Sequence, residues 1–281
     1  MKVGAHSWLL ETRYPLSTAM RRAAEIGYDG YELDIGNFGG TGLGLQILPD
    51  RLQETNREEL RRYSSEAGIP YSSLCLGALW HYPIAAPDEA RRLRGIEIIR
   101  AAIPLAAELG AGCILLPLDQ PEGISDAEAY AMTLASLEPC VTLAEEHGVV
   151  LGIENVCIPF LLGAEELGRL VDDIDSVACR VYYDVGNNTL LGKDPAAEIR
   201  HLGDRIVQFH FKNESSPRGT PGSRQVSINR PGIVPYGAVM DAIASIGFDG
   251  YLVVEVPTLG EDADLVAREN HDALRELLAS M

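Results

Sequence analysis

Eight times along the chain a short apolar run is followed by an amphipathic stretch of helical length, and no other feature constrains the fold as tightly. "KVGAHSW" reads as the first strand, and residues 15–27 read as a helix closed by Gly27. "GYELDIG" is strand two, followed by a helix over 51–67 that Gly68 ends. "IPYSSLCLG" is strand three, and Asp88 to Gly110 is a long helix whose interior Pro104 predicts a kink. "CILLPL" is strand four, before a helix from Asp126 to His147 with a cap in "SDAE" and a bend at Pro139. "VVLGIEN" and "CRVYYDVG" are strands five and six, each followed by a helix, over Ala164–Asp173 and 194–203. "RIVQFHFK" is strand seven, "PYGAVMDAIASIG" its helix, "GYLVVEVP" strand eight, and 262–280 the last helix.

No linker interrupts this series. Eight strand–helix units in 281 residues are the count of a (β/α)₈ TIM barrel, one α/β domain over residues 1–281. A doubly wound sheet is the alternative. It would carry a Gly-rich nucleotide turn after strand one, and "HSWLLETRY" is not one. One segment lacks periodicity: 213–232, "NESSPRGTPGSRQVSINRPG". A long irregular loop in a compact domain is usually functional.

Composition narrows the function. The formal charge is −18, from 41 acidic and 23 basic residues, which disfavours a nucleic-acid partner but not a small anion in a local pocket. The 5 cysteines form no CxxC pair and most lie in apolar runs, so they read as buried thiols in a reducing compartment. The opening "MKVGAHSWLLETRYP" has no basic segment before a long apolar stretch, and no apolar run approaches about 20 residues. A cytoplasmic protein with no membrane partner is therefore expected.

Chemistry enters at the C-terminal strand ends, where barrel enzymes keep their active sites. Strand five ends at Glu154, strand six at Asp184 and strand eight at Glu255, and strand seven carries His210. Each is a titratable residue inside an apolar run, where burial without a partner is costly. A shared divalent cation is the simplest partner. A mostly oxygen shell with one imidazole suits Mn²⁺ first, with Co²⁺, Mg²⁺ or Zn²⁺ as alternatives. Taken singly, each residue is equally well a strand-end polar group satisfied by its neighbours.

"IEN", "YYDVGN", "FHFKN" and "GFDGYLVVEVP", in that order, resemble the sugar isomerase/epimerase superfamily with a xylose isomerase-like barrel. That group includes D-tagatose 3-epimerase, L-ribulose-5-phosphate 3-epimerase, the inosose dehydratases and hydroxypyruvate isomerase. The resemblance implies a metal set of Glu154, Asp184, His210 and Glu255. It also implies a catalytic pair, Glu154 and Glu255, one removing a proton beside a ketone and the other returning one from the opposite face.

The chain departs from the tagatose type at two positions. Asn187 stands where those enzymes have a histidine, and Phe160 where they have a second glutamate. Lys212, two residues beyond His210, resembles the His-x-Lys of the sugar-phosphate and inositol branches, with the lysine as a cation for substrate oxygen. Arg218, with Arg224 and Arg230, lies in the loop after strand seven, where barrels often hold phosphate.

His6, Glu32, Trp80 and His81 are further candidates to face the pocket; His6, Trp80 and His81, with Asn187, Lys212 and Arg218, are the expected substrate contacts. His147, His201 and His271 read as surface residues.

The expected function is a metal-dependent isomerase or epimerase of a ketose or ketose phosphate. A lyase on the same scaffold, an inosose-type dehydratase or a 3-keto-glycoside cleaving enzyme, begins with the same proton abstraction. A DNA-repair endonuclease relative is disfavoured by the charge, and a non-catalytic sugar binder would not need two metal-bound glutamates. The outer helices are compatible with a homo-oligomer.

Overall fold

The β-branched and aromatic runs become strands and the amphipathic stretches become helices, alternating along the chain except for two successive helices after the sixth strand and a short ribbon after the seventh. The barrel strands are β1 (Lys2–His6), β2 (Gly30–Asp34), β3 (Tyr71–Cys75), β4 (Cys113–Pro117), β5 (Val150–Glu154), β6 (Cys179–Asp184) and β7 (Ile206–Phe211). A short ribbon of β8 (Asn213–Glu214) and β9 (Gln225–Val226) follows, and β10 (Tyr251–Val254) is the last barrel strand. In this computed structural model, which describes residues 1–36, 48–158, 160, 161, 163–258 and 260–281, β1 pairs with both β2 and β10 and the sheet closes. Every barrel pairing is parallel, so the fold is the expected (β/α)₈ barrel.

The helices are α1 (Leu16–Ile26), α2 (Glu54–Ala67), α3 (Glu89–Leu109), α4 (Asp126–His147), α5 (Ala164–Ile174), α6 (Val185–Leu190), α7 (Pro195–Leu202), α8 (Tyr236–Ser245) and α9 (Ala263–Ala279). Gly27, Gly68, Gly110 and Gly148 end α1 to α4 in the left-handed conformation that glycine adopts without a Cβ penalty. In α4, Ser125 and Glu128 form a reciprocal capping box. Both α3 and α4 continue through their prolines. Among the described residues no helix is long and apolar enough to cross a membrane.

Two elements go beyond the sequence reading. The turn after β6, "VGNNTL", forms α6. The loop 213–232 is not structureless: β8 and β9 pair antiparallel, and Ile228 N–H donates to Asn270 Oδ1 on α9 at 2.7 Å.

The two faces of each strand have different tasks. Outward residues such as Leu33, Leu74, Ile153, Val181, Phe209 and Phe211 are fully buried in the apolar layer beneath the helices. Phe209 meets Phe248 edge-on at 4.8 Å, and Phe211 stacks on Tyr236 at 6.2 Å. Inward residues of the same strands are polar. On β7 these are Gln208 and His210, and on β6 Tyr182 and Asp184. Side chains alternate with period 2, so an apolar outer face can accompany a functional inner one.

Candidate active site

Four side chains converge where β5, β6, β7 and β10 end. Glu154, Asp184, His210 and Glu255 are all buried, and each offers a ligand atom within 4.8 Å of the others. His210 Nδ1 is 3.0 Å from Glu154 Oε1, 3.5 Å from Glu255 Oε2 and 3.9 Å from Asp184 Oδ2. These are the residues the strand ends pointed to.

Local structure aims each group. Asp184 caps α6: its Oδ1 accepts the N–H groups of Gly186 (2.7 Å) and Asn187 (2.9 Å). That leaves Oδ2 turned toward His210 and Lys212. Asn155 then fixes the Asp184 backbone, accepting its N–H at 2.7 Å and donating to its carbonyl at 2.8 Å. The "EN" and "DVGN" motifs are therefore one construction, holding the end of β6 to the loop after β5.

Lys212 is buried with its ammonium 2.6 Å from both Asp184 Oδ2 and Glu255 Oε2. Gly186 makes room for it, since a Cβ there would lie 2.5 Å from Lys212 Cγ. Burial works against the Lys212 charge, but Asp184, Glu255 and Glu154 outweigh it and hold the ammonium charged. Its partners are carboxylates, so it balances the charge of the site.

The carboxylates differ in their ease of ionisation. Burial pushes Glu154 up, and its hydrogen bond to His210 offsets this only in part. Burial also pushes Glu255 up, but Lys212, His210 and His6 prevail and hold it below the usual range. His210 is raised well above an ordinary histidine: burial lowers it, and Glu32 and Glu255 more than compensate. The buried carboxylates Glu154, Asp184, Glu255 and Glu32 outnumber the two cationic groups, Lys212 and His210, and the donors are carboxylate oxygens and an imidazole. That donor set fits a divalent cation.

Below this cluster lies a polar floor. Glu32 on β2 accepts from His210 Nε2 at 2.6 Å, from Ser73 Oγ at 2.6 Å and from Tyr182 OH at 2.8 Å. Gln208 Nε2 donates to Ser73 Oγ and Tyr182 OH. Gly152 gives the Tyr182 ring space, because a Cβ there would sit 3.0 Å from Tyr182 Cβ.

The other expected substrate contacts are distributed unevenly. His6 is fully buried; its Nδ1 accepts from Trp8 N–H, and its Nε2 lies 3.8 Å from Glu32 Oε1 with no hydrogen-bond partner among the described residues. Asn187 is buried beside Asp184, donating to the Asn155 carbonyl at 2.9 Å and accepting from the Cys157 thiol at 2.8 Å. Arg218 is exposed, and its guanidinium donates to the Cys157 carbonyl at 2.5 Å. Trp80 ends a one-turn helix after β3 and is 39% exposed, with His81 beside it at the surface.

His147 and His201 are at the surface as expected. His271 is not: it packs under Gly27, with Nε2 3.1 Å from that carbonyl, because α9 presents this face to the end of α1.

Sequence reasoning missed Asn155, Ser73, Tyr182, Gln208 and Glu214. Glu214, on β8, is buried, and burial pushes its carboxyl up to about 7 despite Lys212 nearby. The signal for Tyr182 and Gln208 was parity, since each lies two residues before a metal-set residue and so shares its face.

Comparison with known proteins agrees with this fold. The family model "Xylose isomerase-like TIM barrel" matches residues 20–277. The 2-epi-5-epi-valiolone 7-phosphate 2-epimerase of an Actinoplanes species is 31% identical over 234 residues, 82% of this chain and 80% of that one. The L-ribulose-5-phosphate 3-epimerase UlaE of Salmonella paratyphi A is 24% identical over 240 residues, covering 84% and 80%. The solved structure of a D-tagatose 3-epimerase-like protein superposes with a TM-score of 0.80 at 22% identity, covering 100% of this chain and 98% of that one. The chain thus belongs to the xylose isomerase-like TIM barrel family and, with epimerases as relatives along most of its length, is an enzyme.

Proposed function

We propose that the protein is a divalent-metal-dependent epimerase or isomerase of a ketose or ketose phosphate, with Glu154 and Glu255 as its acid–base pair. The observation that carries this reading is the convergence of Glu154, Asp184, His210 and Glu255 in one buried cluster at the barrel mouth. The names of the relatives agree, since two of them are epimerases of phosphorylated substrates.

Glu154, Asp184, His210 and Glu255 would hold the ion, Mn²⁺ in the first place on the hardness of the oxygen donors. A divalent ion there supplies Lewis acidity, polarising a substrate carbonyl and stabilising the charge left when the adjacent carbon loses its proton. Glu154 and Glu255 stand on β5 and just after β10, with β6 and β7 between them. A substrate between them meets a carboxylate on each face, as inversion at carbon requires. One glutamate removes the proton beside the carbonyl, and the other donates one to the opposite face.

Lys212 keeps Glu255 ionised while offsetting the excess negative charge. His6, whose Nε2 has no hydrogen-bond partner among the described residues and lies 3.8 Å from Glu32, is our candidate donor to a substrate oxygen. The acidic surface and the epimerase relatives fit a small carbohydrate as the partner rather than a nucleic acid.

The test is proton exchange. Mn²⁺-loaded protein is incubated in D₂O with ketoses, ketose phosphates and inososes, and deuterium beside the carbonyl is followed by mass spectrometry and by NMR after metal removal. Enzyme-dependent incorporation with an epimeric or isomeric product, abolished in Glu255→Gln, is the expected result. Incorporation accompanied by loss of water or of a glycoside would replace epimerase with lyase. No incorporation from any ketose or ketose phosphate would refute the proposed activity.

A further inference from the structure

Glu32 lies outside the four residues that would hold the ion, yet it is fully buried and has three polar side-chain partners, Ser73, Tyr182 and His210, within 2.8 Å. Its bonds have a fixed direction. The Gln208 amide nitrogen can only donate, so the Ser73 and Tyr182 hydroxyl oxygens accept from it at 2.8 and 3.0 Å. Each hydroxyl then has a single proton to give, and Glu32 Oε2 stands 2.6 and 2.8 Å away to receive it. Oε2 is thus occupied by two donors, and Oε1 faces His210 Nε2 at 2.6 Å. An ionised carboxylate has no proton to offer, so the proton on this bond belongs to His210 Nε2. The opposite ring nitrogen, Nδ1, is the one that faces Glu154, Glu255 and Asp184.

We infer that Glu32 is a positioning residue that sets how the metal is held. By fixing the proton on His210 Nε2, it presents the Nδ1 lone pair to the ion. The inference rests on the proposed metal centre. A carboxylate on the far nitrogen of a ligating histidine fixes ring and tautomer, and losing such a partner typically costs roughly 10–100-fold in metal affinity. Gln208 matters at one remove, since it orients the two hydroxyls that fill the other oxygen of Glu32. The network spans β2, β3, β6 and β7, so the histidine is referenced to four strands of the barrel.

The first measurement reads the wild-type protein. In wild-type protein labelled with ¹⁵N-histidine and loaded with Zn²⁺ as a diamagnetic probe, His210 is assigned by its absence in His210→Gln. The expected spectrum shows a protonated Nε2 and a metal-bound Nδ1. A proton on Nδ1 with Nε2 coordinated would overturn the inference.

The second measurement is calorimetric titration of Mn²⁺ into wild type and Glu32→Gln, with melting of both metal-free proteins to confirm folding. A roughly 10–100-fold weaker affinity in the variant is expected, because the amide cannot accept from all three donors at once. Equal affinity would overturn the inference alone. Failure of the wild type to bind Mn²⁺ or Zn²⁺ at all would overturn the metal centre with it.

Discussion

Glu32 and Glu11 are both buried glutamates, one inside the barrel and the other in the turn after β1. Burial pushes both carboxyls up, yet they end on opposite sides of the ordinary value. Around Glu32, His210, His6 and Ser73 outweigh burial, and the group is held below the usual range. Around Glu11, Tyr31 OH binds one oxygen at 2.8 Å, the other has no hydrogen-bond partner among the described residues, and the carboxyl is pushed up to about 8. The lesson concerns partners rather than depth. Inside the barrel, donors and cationic partners keep Glu32 charged, while Glu154, with less compensation, is still pushed up; at Glu11 a single hydroxyl does not offset burial, and the carboxyl takes up a proton.

The largest effect tests the charged interior directly. Glu154→Gln and Glu255→Gln each remove one acid–base group, and kcat/KM is expected to fall by roughly 10²- to 10⁴-fold or more, since each also loses a metal ligand. Circular dichroism and melting check that the fold survives. Retained turnover in either variant would contradict the pairing.

Next is the internal cation. Lys212→Met leaves Asp184 and Glu255 without their 2.6 Å partner, and breaking a buried ion pair costs roughly 3–5 kcal/mol. Urea denaturation of the metal-free variant is expected to show a loss of that order, and Mn²⁺ is expected to stabilise the variant more than wild type. Equal stabilisation by Mn²⁺ would mean that Lys212 and the ion do not share the same charge.

Glu11 reverses the comparison. Its folded-state pKa lies above its unfolded value of 4.5, so the folded state keeps a proton that the unfolded state has released. Stability is therefore expected to fall as pH rises from about 4.5 and to level off above about 8. Glu11→Gln removes this dependence and is expected to gain on wild type by a few kcal/mol at most at pH 9 relative to pH 5. Parallel stability curves from pH 5 to 9 would show that Glu11 has other partners.

The smallest effect is steric. Gly186→Ala places a methyl against the Lys212 stem, and the displaced ammonium is expected to lower melting temperature slightly while weakening activity more, by kcat rather than KM. A variant that keeps full activity would show that the position of Lys212 is loosely set.

Most of the frame was legible in the sequence because strand and helix signals repeat with glycine caps. The cluster of Glu154, Asp184, His210 and Glu255 was legible because each member interrupts an apolar run at a strand end. What escaped was tertiary. The α6 turn is too short for periodicity to show, yet it orients Asp184. Asn187, expected at the substrate, is instead bonded to Asn155 and Cys157, contacts that only the folded chain brings together. Arg218 was expected to reach an anion, and its guanidinium rests on a carbonyl 61 residues away in sequence. Glu32 was visible as polar in a strand, but its role depends on β3, β6 and β7 closing around it.

The measurement that tests the central claim most directly is electron paramagnetic resonance of Mn²⁺ added to the protein, with echo modulation used to detect bound nitrogen. One tightly held ion per chain is expected, with modulation from a single imidazole nitrogen that disappears in His210→Gln. No stoichiometric binding, or nitrogen modulation that survives in His210→Gln, would contradict a metal centre built from Glu154, Asp184, His210 and Glu255.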